Sequence, residues 1–143
     1  MAIHFNHTIL LTRDSRASAT FLAEMLALPA PRKWGPFYMV TTENGANLDY
    51  MDSAGDIVPQ HYAFLTSEAE FDEIFDRIQQ RELAYWADPG RTQPGKINHH
   101  DGGRGILLRG NQRAPDRNHH PRIRQRWLES LISSMNASSP QTH

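Results

Sequence analysis

Hydrophobic and polar positions form the same combined pattern twice along this chain, a strand-like run followed by an amphipathic helix. The second copy, at residues 60–78, is the clearer one, because the β-favouring run YAFL comes directly before a helical pattern. Thr66 or Ser67 can cap that helix. Its apolar stripe recurs at intervals of three and four residues and consists of Phe71, Ile74, Phe75 and Ile78. The pattern predicts a helix near residues 68–81 that packs back on a sheet.

The beginning of the chain repeats this pattern without repeating the sequence. Residues 3–11 read as a strand that carries His7, and a helix is predicted near residues 15–27. The apolar face of that helix comprises Ala17, Phe21, Leu22, Met25 and Leu26. His7 and His61 each begin a unit of strand, cap, helix and further strands. We therefore interpret the chain as an internal repeat of architecture.

A β-hairpin is predicted after the first helix. Residues 37–42 and 46–51 read as two strands joined at Glu43-Asn44-Gly45, since Asn-Gly tolerates the positive φ values of a tight hairpin turn. The segment before them holds three prolines and a glycine, which indicates a loop. Asp49 is an acid on an otherwise apolar strand. Taken by itself, it is best explained as a solvent-facing residue on a half-exposed strand.

The second unit continues after its helix with a short strand at residues 84–87, which contains Tyr85 and Trp86. A further strand begins at residues 105–108. The polar loop between them, residues 88–104, is long for a compact domain. Loops of this length are usually functional or mobile.

Length and composition exclude several classes of protein. A chain of 143 residues is long enough for one domain with a substantial core. Its net charge of −1 argues against a general nucleic-acid-binding protein. The absence of cysteine excludes disulfides and thiolate chemistry and favours the cytoplasm. No apolar run reaches the length of a membrane span, and the N-terminus lacks a signal-peptide pattern.

Six ordered motifs carry a resemblance to a known superfamily. They are HTILLTRD, ASATFLAEMLALP, ANLDYMD, HYAFLTSEAEFDEIFDRI, AYWADP and DGGRG. Together they resemble the vicinal oxygen chelate superfamily of glyoxalases, bleomycin-resistance proteins and extradiol dioxygenases, over residues 1 to about 106. The resemblance implies an α+β fold of paired βαβββ modules, at residues 1–52 and 60–110, whose curved mixed sheets form a cleft.

The resemblance also implies a metal site. Members commonly bind a divalent metal through a histidine on the first strand of each module, which His7 and His61 match. Some add an acid from the last strand of the first module, where Asp49 matches and is therefore better read as a ligand than as a surface residue. The expected ion is Fe, Mn, Ni or Zn, weakly bound or absent if the site is incomplete. The expected substrate-binding residues are Phe37, Tyr50, Tyr85, Trp86 and Arg104.

The chain departs from the superfamily pattern after about residue 106. Relatives have a further strand there with a metal-binding glutamate, but residues 109–121 show no alternating strand pattern. Codons for residues 113–126, read one base later, can give GHLIEIITRAYGSG, which fits the ending of the family. We infer that the reading frame slipped near residues 105–107. The closing strand is then lost or replaced, and its glutamate falls at Arg117, which cannot ligate a metal.

The tail at residues 111–143 differs in composition from the rest of the chain. It holds five arginines against two acids, whereas the preceding part is net acidic. A nucleic-acid-binding arm explains this less well than an out-of-frame sequence does. Apolar residues at helical spacing predict a helix at residues 121–135, and the end of the chain is expected to be disordered.

Three functions remain open from the sequence. The first is a glyoxalase- or dioxygenase-like metalloprotein, a lyase, isomerase or dioxygenase, that acts on a small substrate with vicinal oxygens and is impaired by the altered C-terminus. The second is a metal-free protein of the bleomycin-resistance type, which sequesters a flat ligand between aromatic walls. The third is an inactive truncated relative. A homodimer is expected in each case, with no nucleic-acid or membrane partner.

Overall fold

The computed structural model describes residues 2–58, 60–88, 90–99 and 103–109, and the backbone of residues 129–134. The chain divides into two compact units, Met1–Val58 and Pro59–His143. Within the described ranges, neither helix has the length and apolar character needed to cross a membrane.

The first unit is a four-stranded sheet with one helix. Its elements are β1 (His7–Thr12), α1 (Ser15–Leu26), β2 (Arg32–Trp34), β3 (Phe37–Thr41) and β4 (Asn47–Asp52). The strand order is β1-β4-β3-β2, with β1 parallel to β4 and the other pairs antiparallel. This is the predicted βαβββ module.

The second unit has the same topology. Its elements are β5 (His61–Thr66), α2 (Glu68–Gln80), β6 (Tyr85–Trp86), β7 (Arg104–Arg109) and β8 (Glu129–Ser134). The strand order is β5-β8-β7-β6, with β5 parallel to β8 and the other pairs antiparallel. The predicted α+β fold of two βαβββ modules, with helices near residues 15–27 and 68–81, is therefore confirmed.

Each helix has a side-chain cap at its N-terminus. Asp14 caps α1 by accepting a hydrogen bond from the backbone N–H of Ala17. Ser67 and Glu70 form a reciprocal capping box at α2. Hydrogen bonding of the Glu70 carboxylate with the side chain and the backbone N–H of Ser67 holds the pKa of Glu70 below its ordinary value. Each helix therefore begins directly after a residue whose side chain accepts a hydrogen bond from its first turn.

Two strands differ from the sequence prediction. β2 lies in the segment predicted as a loop, because Gly35, at a φ of 55°, makes with Pro36 a two-residue turn that returns the chain into β3. Residues 129–134 form β8, so the predicted helix at residues 121–135 is wrong for them. β8 pairs with both β5 and β7, so the closing strand is replaced rather than lost. The rest of that helix, Arg117 and the predicted disordered end lie outside the described residues.

Each helix covers one face of its own sheet. In the first unit the buried apolar residues on this side are Leu10, Ala19, Leu22, Ala23, Met25, Val40, Leu48 and Tyr50. In the second unit they are Phe71, Ile74, Ile78, Ile106 and Leu108. We call this side of each sheet the helix face. Its burial is the main apolar contribution to the stability of each unit.

Arg104 on β7 attaches α2 to the second sheet. Its guanidinium lies 2.6 Å from a Glu68 carboxylate oxygen and 2.8 Å from a carboxylate oxygen of Asp72, and it covers the ring of Phe71 at 4.4 Å. Partial burial lowers the pKa of Arg104, but hydrogen bonds to Asp72 and Glu68 outweigh it and raise the pKa overall. The contact joins the third strand of the unit to the first turns of its helix.

Asn98 fastens the loop after β6 to the sheet. Its backbone N–H and C=O both hydrogen-bond to Gly105 on β7, and its side-chain amide donates to the carbonyl of Ala87. A Cβ added at Gly105 would lie 2.6 Å from the Asn98 side-chain nitrogen. Only glycine therefore leaves room for the Asn98 side chain over β7.

Replacing Arg104 by methionine should lower the free energy of unfolding by about 1 to 2 kcal/mol, because the pairing with two carboxylates and the contact with an aromatic ring are both lost. Chemical denaturation measures the change, and hydrogen exchange should show faster opening of α2. Arg16→Met, at an exposed position on α1, is the control and should change little. Equal stability of the two variants would contradict an anchoring role for Arg104.

Gly105→Ala should displace the Asn98 side chain and cost about 1 kcal/mol, the net value of its hydrogen bond to the carbonyl of Ala87. Hydrogen exchange in residues 90–98 reports the displacement. Gly55→Ala is the control, because its added Cβ lies 3.7 Å from the nearest atom, an ordinary contact. In an Asn98→Ala background the Gly105 substitution should cost much less. Additive costs would show that the two residues do not act together.

Candidate metal and ligand site

Strand alternation gives each sheet a second face, opposite its helix, which we call the histidine face. In the first unit it carries the odd-numbered residues of β1, β3 and β4, since these alternate with the residues that pack under α1. They are His7, Ile9, Leu11, Phe37, Met39, Thr41, Asn47, Asp49 and Met51. Most of these residues are apolar, and His7 and Asp49 are the two with ionisable side chains.

Asp49 lies at the centre of this face, paired with Ile9 on β1 and Met39 on β3. It is only 7% exposed, and its Oδ1 atom has no hydrogen-bond partner among the described residues. A buried carboxylate oxygen without a partner is costly, whereas coordination to a cation removes the cost. The environment of Asp49 therefore fits a metal ligand better than a structural acid.

His7 shares the histidine face with Asp49. In the strand register it pairs with Asn47, two positions before Asp49 on the neighbouring strand. Its Nδ1 atom lies 2.7 Å from the side-chain oxygen of Asn6. In the tautomer in which Nδ1 donates this hydrogen bond, Nε2 carries the free lone pair that a metal requires. The two predicted ligands of the first unit are thus brought to one face.

His61 occupies in the second unit the place that His7 occupies in the first. It is the first residue of β5, it is exposed, and its strand neighbour in the register is Glu129 of β8. Among the residues that the structure describes, no three His, Cys, Asp or Glu side chains lie close enough to hold one ion. The described residues thus show no gathered set of three ligands, and the convergence of His7, Asp49 and His61 on one ion stays a prediction.

Two of the predicted substrate-binding residues lie on histidine faces. Phe37 stacks on Trp34, with the rings 6.3 Å apart and within 9° of parallel, and Trp34 is largely exposed. In the second unit Trp86 pairs with Leu107, and the guanidinium of Arg109 lies 5.8 Å from its ring centre. The sequence analysis missed Trp34 and Arg109, because one lies in a predicted loop and the other beyond the predicted strand.

The structure places the other three predicted substrate-binding residues on helix faces. Tyr50 is 1% exposed and packs in the core under α1. Tyr85 meets the ring of Phe75 on α2 edge-on at 5.3 Å, and Arg104 binds the carboxylates of α2. A strand side chain points to one face only, so these three residues do not line a site on the histidine faces.

No family model matches the chain. Among curated proteins, glutathione transferase FosA of Serratia marcescens is 29% identical over 87 residues, which is 57% of this chain. The match spans 62% of the length of FosA.

Solved structures give broader matches. Oxidase ChaP-H1 is 43% identical with a TM-score of 0.81, over 96% of this chain and 100% of its own. Oxidase ChaP-H2 is 44% identical with the same TM-score, over 97% and 98% of the two chains. The fosfomycin resistance protein FosX of Mesorhizobium loti is 12% identical, with a TM-score of 0.61 over 96% of both chains, and shows the fold alone. Given this fold and these relatives, the chain belongs to the vicinal oxygen chelate superfamily.

Proposed function

We propose that this protein is a metal-dependent oxidase or dioxygenase that acts on a small substrate with vicinal oxygens. The 43–44% identity to two oxidases, over nearly the whole of each chain, supports an oxidative reaction over the other activities of the superfamily. The observation that carries the metal is the buried, unpartnered Oδ1 of Asp49 on the same sheet face as His7.

The proposed protein ligands are His7, Asp49 and His61. Two imidazoles and one carboxylate suit Fe, Mn, Ni or Zn and leave coordination positions for substrate. When bound, the ion supplies Lewis acidity toward the two oxygens of the substrate. The Asn6 side chain holds the imidazole of His7, and burial keeps Asp49 screened from water.

The aromatic residues of the histidine faces are the proposed substrate contacts. The parallel stack of Trp34 and Phe37 offers a flat apolar wall to a planar ligand. Trp86, with Arg109 over its ring, offers a second surface that combines an aromatic plane with positive charge. These contacts orient a substrate but supply no chemistry, so without a metal they would support only sequestration of a flat ligand, as in bleomycin-resistance proteins.

We also propose a cytoplasmic homodimer. Apolar residues on the histidine faces are exposed, among them Ile9 and Leu11 on β1 and Leu65, which is 62% exposed, on β5. Ile9 and Leu11 share one face of the first sheet, and exposed apolar residues grouped in this way are typical of an association surface. The oligomeric state follows from light scattering of the purified protein, and a monomer at micromolar concentration contradicts this part of the proposal.

Asp49→Asn should weaken Mn(II) or Fe(II) binding about tenfold or more, because the ion loses an anionic ligand. The metal-free variant should melt no lower than the parent, since the substitution removes a buried, unpartnered charge. Anaerobic titration measures the affinity and calorimetry the melting temperature. Asp56→Asn, at an exposed position, is the matched control. Unchanged affinity together with a lower melting temperature would assign Asp49 a structural role instead.

The class of reaction is tested with the protein reconstituted with each of the four metals. Oxygen uptake with a panel of 1,2-dihydroxyaromatic compounds should exceed that of the Asp49→Asn variant. Parallel assays with a glutathione hemithioacetal, and with fosfomycin plus a thiol, test glyoxalase and fosfomycin-modifying activity. Ligand binding without metal or turnover would favour sequestration, and no activity or binding would favour an inactive relative.

The frame-slip hypothesis predicts the effect of restoring the closing strand. A chain with GHLIEIITRAYGSG in place of residues 113–126, and with the preceding slip corrected, should bind a divalent metal more tightly and melt at a higher temperature. The restored glutamate adds a negative ligand, and the restored strand returns the family's own closing sequence to the place between β5 and β7 that β8 occupies. A chain with the same replacement residues in scrambled order is the control. Equal metal affinity and equal melting temperature in the restored chain and the parent chain would show that the altered tail has no consequence for the site.

A further inference from the structure

A positive charge lies beside the aromatic stack of Trp34 and Phe37 in the first unit. We propose that Arg32, on β2, binds an anionic group of a planar aromatic substrate and thereby selects acids over neutral analogues. This inference rests on the proposed function, because that proposal brings a planar ligand to the histidine face. It adds the charge of the substrate and the residue that recognises this charge.

Contacts of β2 show which face of the sheet each of its side chains occupies. Trp34 stacks on Phe37, a residue of the histidine face. The preceding residue, Lys33, has its ammonium nitrogen 5.4 Å from the ring centre of Tyr38, which belongs to the helix face. Because side chains alternate along a strand, Arg32 lies on the histidine face together with Trp34.

Arg32 shares one row of the first sheet with Asp49. It pairs with Met39 on β3, and Met39 pairs with Asp49 on β4. Two strand spacings of about 4.8 Å separate the backbone positions of Arg32 and Asp49 by about 10 Å. Trp34 and Phe37 pair with each other in the neighbouring row. A planar ligand on this stack therefore has the cation at one end when its vicinal oxygens lie toward Asp49.

The guanidinium of Arg32 is suited to a ligand with a carboxylate. Arg32 is exposed, and no carboxylate among the described residues forms an ion pair with it. A guanidinium donates two parallel hydrogen bonds to one carboxylate, and it also stacks on aromatic rings. An aromatic acid uses both properties, with its rings against Trp34 and its anion at Arg32.

Protection of the sheet edge is the alternative role for this charge. β2 is a three-residue strand at the edge of the first sheet, and charged side chains on such a strand discourage pairing with other chains. Lys33 supplies a charge on the same strand for that purpose. Edge protection does not depend on the charge of a ligand, whereas recognition by Arg32 does. The two roles therefore differ in a binding experiment.

The test compares two ligands that differ in charge, 6,7-dihydroxy-2-naphthoate and the corresponding carboxamide. Isothermal titration calorimetry measures both affinities for the full chain as purified. We expect the parent to bind the acid about three- to tenfold more tightly than the amide, and added salt to reduce the difference. Arg32→Met should abolish the preference and leave the affinity for the amide unchanged. Arg32→Lys should keep part of the preference, since the charge remains without the planar fork.

Lys33→Met is the matched control. It removes one positive charge from the same strand but from the other face, so the preference for the acid should be unchanged. Trp34→Leu should weaken binding of the acid and of the amide by the same factor, because it removes an aromatic surface and keeps the cation.

Equal affinity of Arg32→Met and the parent for the acid overturns the proposal, as does a parent chain that binds the acid no better than the amide. Loss of the preference in Arg109→Met instead of Arg32→Met also overturns it and assigns the anion to the second unit. A less soluble or less stable Arg32→Met with an intact preference leaves Arg32 with edge protection alone.

Oxygen uptake by the metal-loaded protein separates this inference from the proposed function. If the acid binds through Arg32 but no metal supports oxygen uptake, the inference stands and the proposed function fails. If both ligands are oxidised and Arg32→Met leaves the ratio of their kcat/KM values unchanged, the proposed function stands and the inference fails.

Discussion

Each strand residue can reach only one face of its sheet, and each sheet has a helix on one face. This constraint determines the rest of the molecule. Residues that alternate with the core, such as His7 and Asp49 in the first unit, must lie opposite α1. Residues in phase with the core, such as Tyr50, are lost to any site on the other face. The candidate ligands and the residues that pack under the helix thereby lie on opposite sides of the same sheet.

The two units share this constraint but use it differently. Both begin with a histidine at the first position of a strand and both place a parallel strand beside it. In the first unit that neighbour carries a buried carboxylate two positions further on. In the second unit the neighbour comes from a divergent tail, and its acidic residue lies directly in register with the histidine. Equal topology therefore need not place acidic residues at equivalent positions of the two sheets.

The closing strand shows how tertiary hydrogen bonding overrides local pattern. Residues 121–135 have helical spacing of apolar positions, yet residues 129–134 are extended between β5 and β7. Without a strand between them, the backbone N–H and C=O groups of β5 and β7 would lack partners, which is costly for buried groups. A short segment with isoleucine and leucine meets that need at little conformational cost.

The sequence by itself determined the two helices, their caps, the Asn-Gly hairpin and the strands that carry His7, Asp49 and His61. These depend on local spacing and turn chemistry, which neighbouring residues specify. Only the tertiary structure decided which aromatic residues reach the histidine faces, since Tyr85 and Trp86 are adjacent in sequence but lie on opposite faces. It also decided that Arg104 binds α2 and that residues 129–134 form a strand. The reason is that sheet pairing joins residues far apart in sequence. The local pattern of one strand does not specify which other strands it pairs with.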